Sequence, residues 1–316
     1  MMAPPQQNLS ALKGKAQVAA ALSAVEANPA SVASLLDEAF ENPKGLAIGI
    51  TGPPGAGKST LINASIAEWR RLGKSVAVLA VDPSSKASGG ALLGDRVRMR
   101  TDPSDDGVFI RSIAARGRLG GLADIAYPAA TLLKALYDKV IVESVGVGQS
   151  ETDIATVSDT VVLCIQPASG DSLQFMKAGI AEIPDIAVVT KADMGAAAER
   201  ALADLKGALS LFHGEQGARR PECLSVSLTS SAGGLGQLFA AFGRHEAWLA
   251  LEDRLALARS TKAQSWVQAE VLSEFGRRGL DIVADELFRS WSGRPFATVR
   301  QIFAELHVLR APAERT

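Results

Sequence analysis

Gly52-Pro53-Pro54-Gly55-Ala56-Gly57-Lys58-Ser59 is a complete G-x-x-x-x-G-K-[ST] run, set between the apolar segment LAIGIT and the helix-patterned STLINASIAEWRRLG. Glycines at this spacing let successive backbone N–H groups curl toward one anion, and the helix that follows turns its positive end to it. Lys58 would then reach the β- and γ-phosphates of a nucleotide, and Ser59, with Thr60 next to it at the helix start, would offer a hydroxyl to Mg²⁺. Magnesium at a triphosphate takes hard oxygen ligands, so carboxylates near the carboxyl ends of strands are its candidates. Asp82, Asp95 and Glu143 qualify. Asp82 ends SVAVLAV, and Glu143 ends KVIVE before Ser144-Val145-Gly146, where a glycine lets the backbone approach a γ-phosphate. With Lys58 they are the expected catalytic set.

A second element would read the base. Thr190-Lys191-Ala192-Asp193 follows the apolar run IAVVT and is close to the N-K-x-D sequence of GTPases. A carboxylate at Asp193 accepts from the N1–H and the exocyclic amine of guanine together, whereas adenine offers an acceptor at N1 and repels it. Thr190 stands where Asn is usual, so one carboxamide contact is missing or replaced by a hydroxyl. Further on, Ser227-Leu228-Thr229, after CLSVSL, would turn backbone N–H groups toward guanine O6.

Positioning these residues requires a sheet. Between Leu46 and Leu228, seven short β-branched runs recur: LAIGIT, SVAVLAV, VFIRS, KVIVE, TVVLCIQ, IAVVT and CLSVSL. Helix-patterned stretches separate most of them, which implies parallel pairing through crossovers with both faces covered. The expected fold is α/β, a doubly wound, mostly parallel sheet. Ser10 to Glu41 carries helical spacing interrupted at Asn28-Pro29, so two helices are expected ahead of it. Beyond Gly243 the β signal stops, and Trp248, Leu251, Leu255, Trp266, Val267, Val271 and Leu272 mark a long amphipathic helical arm. The expected divisions are an N-terminal helical extension over residues 1–44, a nucleotide domain over 45–243 and a C-terminal dimerisation arm over 244–316.

Composition narrows the partners. The 316 residues are 47% hydrophobic and 21% charged, ordinary for a chain with a packed core. Lysine and arginine total 33 against 34 acidic residues, a formal charge of -1, so no general field draws the chain to nucleic acid or anionic lipid. From His245 onward ten basic and ten acidic residues balance, so the arm is not polybasic and its apolar face suits another subunit or the chain's own core. Cys164 and Cys223 lie far apart without ligand spacing, and no secretion signal or membrane span is visible, so a reducing cytoplasm is expected.

In order along the chain, AVDPSSKASGGALLGDRVRM, FIRSIAARGRLGGL, VIVESVGVGQSETDIA, PASGDSLQFMKAGIAEI and VVTKAD resemble the MeaB/ArgK family of P-loop GTPases. The resemblance implies a homodimeric GTPase that uses GTP/GDP and Mg²⁺. It also implies a chaperone role for an adenosylcobalamin-dependent acyl-CoA mutase, methylmalonyl-CoA mutase or a relative, with the GTPase gating cofactor loading and protecting the mutase. By the same resemblance Asp82, Asp95 and Glu143 surround Mg²⁺ and the attacking water, and Gln174 and Lys177 belong to a switch that responds to the mutase. Two other chemistries use such a loop. A kinase would need an acceptor pocket with a positioned base. A nickel-insertion GTPase would need soft or imidazole ligands, against which the sequence sets only His213, His245 and His307 and the two separated cysteines.

Overall fold

A computed structural model of the chain describes residues 8–83, 102–115, 123–144, 153–167, 179–212, 219–228, 233–289 and 291–310, with residues 82–83, 114–115, 123–124, 212, 284–289 and 310 described at the backbone alone. The seven strands are β1 (Leu46–Thr51), β2 (Val76–Pro83), β3 (Val108–Ala115), β4 (Lys139–Glu143), β5 (Thr160–Ile165), β6 (Ile186–Thr190) and β7 (Glu222–Val226). They form one sheet in the order β3-β2-β4-β1-β5-β6-β7, every neighbouring pair parallel. The helices are α1 (Lys15–Ala27), α2 (Ala33–Glu41), α3 (Lys58–Arg71), α4 (Ala123–Leu136), α5 (Ile154–Val157), α6 (Ala196–Phe212), α7 (Leu235–Leu249), α8 (Arg254–Arg289) and α9 (Pro295–Arg310). The doubly wound α/β fold is therefore as the strand pattern implies.

The period-2 alternation of each strand divides its side chains between two covered faces. Ala47, Ala77, Leu79, Val140, Val142 and Val161 pack with α1, α2 and α4. Ile48, Ile50, Val76, Val78, Ile141, Val162 and Cys164 pack with Leu61, Ile62, Ile66 and Trp69 of α3 and Leu238, Ala241 and Phe242 of α7. Leu163, Ile165, Ala187 and Val189 pack with Ala198, Leu205 and Leu209 of α6. Because both faces are buried, the strands read as nearly unbroken apolar runs.

The C-terminal helices join this core. Trp266, Val267 and Val271 of α8 and Phe296, Val299, Ile302 and Leu306 of α9 belong to the same cluster as Leu22 and Leu36. Tyr127 stacks on Trp266 with centroids 5.0 Å apart, and Phe296 closes on Trp266 at 4.8 Å. Leu251 and Leu272 of the expected apolar face remain exposed. Helix α7 runs unbroken across residue 243, with His245 buried on it beside Thr160 and Asp185.

Charged residues lock α8 beneath the sheet. Arg259 donates to both carboxylate oxygens of Asp159, at 2.9 and 2.7 Å, and to the Gly45 carbonyl at 2.8 Å. Asp159 also accepts from the Ala47 N–H at 2.8 Å, and Lys262 donates to the Ser158 carbonyl. Burial alone would push the Asp159 carboxyl up, but the Lys134 ammonium, the Arg259 guanidinium and the Ala47 amide outweigh it and hold it well below the usual carboxylate range.

Candidate functional site: the carboxyl edge of the sheet

Strand β1 occupies the middle of the sheet, between β4 and β5, and its chain leaves the carboxyl edge as the loop of residues 52–57. Ligands of open parallel sheets bind at this edge. Gly52 has φ 139°, and a Cβ there would sit 2.0 Å from the Cys164 carbonyl oxygen, so only glycine lets the loop fold down onto β5. Gly57, at φ 82°, ends the loop as the N-cap of α3 without a side-chain cap, and no acidic residue occupies the first turn. The helix thus keeps its N–H groups and its positive end for an anion.

Lys58 is 8% exposed and folds back along the loop, its Nζ donating to the Gly52 carbonyl at 2.7 Å and the Pro53 carbonyl at 3.2 Å. Ser59, half-buried on the next residue of α3, places its Oγ 3.4 Å from Glu143 Oε1 at the end of β4. Beside Glu143, Ser144 donates to the hydroxyl of Thr51 at 2.9 Å. Below the loop, burial pushes the Cys164 thiol up to about 12, so it stays a neutral packing group. Pro54, Gly55 and Thr60 are exposed, and Ala56 is buried.

The second loop leaves β6. Thr190 is buried, and its hydroxyl donates to the Ala56 carbonyl of the first loop at 2.8 Å, with the Ile165 carbonyl 3.1 Å away as a second acceptor within reach. Lys191 takes a left-handed φ of 55° and donates to Gln166 Oε1 at 2.6 Å. The Asp193 carboxylate accepts from the Ser227 hydroxyl at 2.8 Å, which joins the base-reading carboxylate to the loop after β7. Leu228 packs at the edge of the same core as α3.

The fold therefore brings Lys58, Ser59 and Glu143 together on one side of the loop, and Thr190, Lys191, Asp193 and Ser227 on the other. The backbone of Asp82 lies at the end of β2, in register with Ala114 of β3. Asp95, Gly146, Gln174, Lys177 and Thr229 lie outside the described residues, as does His213. Of the other histidines, His245 bonds Thr160 Oγ1 at 2.9 Å in the core, and His307 packs against Phe275. Among the described residues, no group of three or more His, Cys, Asp or Glu gathers to hold a metal. No helix in them is long and apolar enough to cross a membrane. Two features of the edge were not foreseen from sequence: Gln166 as the partner of Lys191, and the Thr190 bond to the glycine-rich loop. The only local signal for Gln166 is its place directly after a strand at the ligand-binding edge.

A parallel sheet of this order, with a glycine-rich loop and its lysine leading from the central strand into a helix, is that of a P-loop nucleotide hydrolase. The family model described as "Methylmalonyl Co-A mutase-associated GTPase MeaB" matches residues 18–280. The chain belongs to this MeaB family and is a GTPase. A Pyrococcus horikoshii protein named as a GTPase is 45% identical over 225 residues, 70% of each chain. The GTPase ArgK of Escherichia coli is 35% identical over 232 residues, 72% of this chain and 70% of that one. The mouse protein "Methylmalonic aciduria type A homolog, mitochondrial" is 37% identical over 235 residues, 72% of this chain and 56% of its own length. Among solved structures, that of LAO/AO transport system kinase superimposes with a TM-score of 0.64 at 25% identity, covering 93% of both chains.

Proposed function

We propose that this GTPase is a chaperone of an adenosylcobalamin-dependent acyl-CoA mutase, methylmalonyl-CoA mutase or a relative, and that guanine-nucleotide state gates cofactor loading and protects the mutase. The family name and the mouse relative support the partner. The observation that carries the nucleotide half is the gathering at one sheet edge of Lys58, the Ser59–Glu143 pair and the Asp193–Ser227 pair.

In this reading the amides of residues 52–59 wrap the phosphates, and the Lys58 ammonium leaves the Gly52 carbonyl for the β- and γ-oxygens. Asp193 selects guanine, Ser227 fixes the carboxylate's orientation, and Leu228 and Thr229 line the base edge. Ser59 and Glu143 are hard oxygen donors 3.4 Å apart, a pair that fits Mg²⁺, and Asp82 and Asp95 would complete its surroundings. When bound, Mg²⁺ would neutralise charge on the phosphate oxygens. Among the described residues no side chain at the edge is an evident strong base, which supports slow intrinsic turnover that the partner accelerates through the segment carrying Gln174 and Lys177. The exposed leucines of α8 are in keeping with a homodimer, and the two free cysteines with a cytoplasmic location.

The test is GTP turnover measured with and without methylmalonyl-CoA mutase. Acceleration by the mutase is expected, and an unchanged rate with each candidate mutase overturns the partnership. Lys58→Ala should lower turnover by about 100-fold or more, and undiminished hydrolysis would remove the loop from the mechanism. The likeness to LAO/AO transport system kinase favours a second reading, a kinase. Radiolabelled γ-phosphate recovered on an acceptor instead of in solution would establish it.

A further inference from the structure

Gln166 belongs to neither nucleotide motif, yet it stands between them. It follows β5 directly, and its Oε1 accepts from Lys191 Nζ at 2.6 Å. Its amide also lies near the glycine-rich loop: among the described residues, the neighbour that a Cβ built on Gly55 would meet is Gln166, Nε2 at 3.7 Å and Oε1 at 3.8 Å. One carboxamide thus neighbours the phosphate loop and accepts from the ammonium of the base loop.

The physical consequence is pre-organisation. A free lysine side chain surrenders up to about 2 kcal/mol of rotamer entropy when a ligand fixes it. Holding it beforehand moves that cost out of the binding step. A neutral amide suits the task, because it restrains the ammonium without cancelling its charge. Lys191 reinforces the restraint at the backbone, since its left-handed φ of 55° is one that a non-glycine residue adopts only where its surroundings demand it.

We propose that Gln166 is a positioning residue that holds Lys191 against the nucleoside, setting the affinity for guanine nucleotides without selecting the base. The inference rests on the guanine-nucleotide reading of this edge. Base selection stays with Asp193, whose carboxylate has its own support from Ser227.

The test uses the full chain with Gln166→Ala, Gln166→Glu, Lys191→Ala and the Gln166→Ala/Lys191→Ala pair, titrated calorimetrically with GDP and a non-hydrolysable GTP analogue. Gln166→Ala should weaken both nucleotides by about tenfold, with the kinetic loss in KM rather than kcat. Gln166→Glu keeps an acceptor for the ammonium and should stay within about threefold of the parent. On the Lys191→Ala background, Gln166→Ala should add less than about twofold, the signature of one shared interaction. Parent-like affinity in Gln166→Ala overturns the proposal, as do multiplicative effects in the pair or a Gln166→Glu variant no better than the alanine. If Lys191→Ala and Asp193→Asn both bind GDP as the parent does, the guanine site itself fails, an outcome separate from any result at Gln166.

Discussion

The hydroxyl of Thr190 meets the carbonyl of Ala56 at 2.8 Å, and through that contact the loop after β6 is tied to the glycine-rich loop after β1. The same hydroxyl lies 3.1 Å from the Ile165 carbonyl at the end of β5, so one buried side chain serves three segments of the edge. A threonine where the base-reading pattern usually carries asparagine therefore still makes a structural tie.

Thr190→Val preserves shape and removes the one hydroxyl donor, so the Ala56 carbonyl loses its 2.8 Å partner. The cost is about 1–3 kcal/mol. It should appear as weaker binding of GDP, GTP and inosine nucleotides alike, because the tie supports the loop and does not touch the base. Calorimetric titration with the three nucleotides checks this, and a loss confined to guanine would assign Thr190 to base reading instead.

Asp193→Asn exchanges two acceptors for one acceptor and a donor. Guanine affinity should fall by about 100-fold or more, since the exocyclic amine then faces an amide that cannot accept from both groups. Xanthine offers an oxygen at that position, so XTP should bind the variant better than GTP. Ser227→Ala, which only frees the carboxylate's orientation, should cost about tenfold or less. Competition binding with GTP, XTP and ATP separates these outcomes.

Beneath the sheet, Lys134 makes stability depend on pH. Burial pulls its ammonium down to about 8, partly offset by Asp159. Between about pH 8 and pH 10.5 the unfolded chain keeps a proton on this lysine that the folded chain has lost, so the lysine's own contribution to unfolding free energy rises with pH across that window. The gain from this group is at most about 3 kcal/mol. From about pH 9 the buried Cys164 thiol, and above pH 10 the buried phenol of Tyr137, each pushed up to about 12, oppose it. Lys134→Met should be more stable than the parent at pH 7.5 and gain less stability between about pH 8 and pH 9 in denaturant titrations, with Lys262, also lowered by burial, keeping part of the slope.

Arg259→Gln should be the most damaging change in the C-terminal helices. It leaves the Asp159 carboxylate buried without its bidentate partner, a loss of about 3–5 kcal/mol. Thermal melts should show a large drop. A parent-like melting temperature would mean that α8 is held by its Trp266, Val267 and Val271 packing alone.

What could be read in the chain was whatever is local. The glycine-rich loop announces itself because its chemistry needs adjacent residues in a fixed order, and the strands do because burial on both faces leaves unbroken apolar runs. The break at Asn28-Pro29 likewise appears where the sequence shows it, with Asn28 capping the turn that follows α1. The destination of the C-terminal helices was open, since an amphipathic face fits a second subunit as well as the chain's own core. In the fold, Trp266 lies against Tyr127.

Neighbours along the chain were enough for the fold class, the phosphate loop and the residue types available at its edge, because backbone curvature and strand burial depend on them. Which of those residues meet was set by the folded arrangement of the strands and helices. Thr190 reaches Ala56 across 134 positions, Lys191 reaches Gln166 across 25, Asp193 reaches Ser227 across 34 and Arg259 reaches Asp159 across 100. No local periodicity encodes such pairings. The first three follow from the order in which parallel strands are laid side by side, which sets distant carboxyl ends a few ångströms apart, and the fourth from the packing of α8 against the opposite edge, where Asp159 precedes β5.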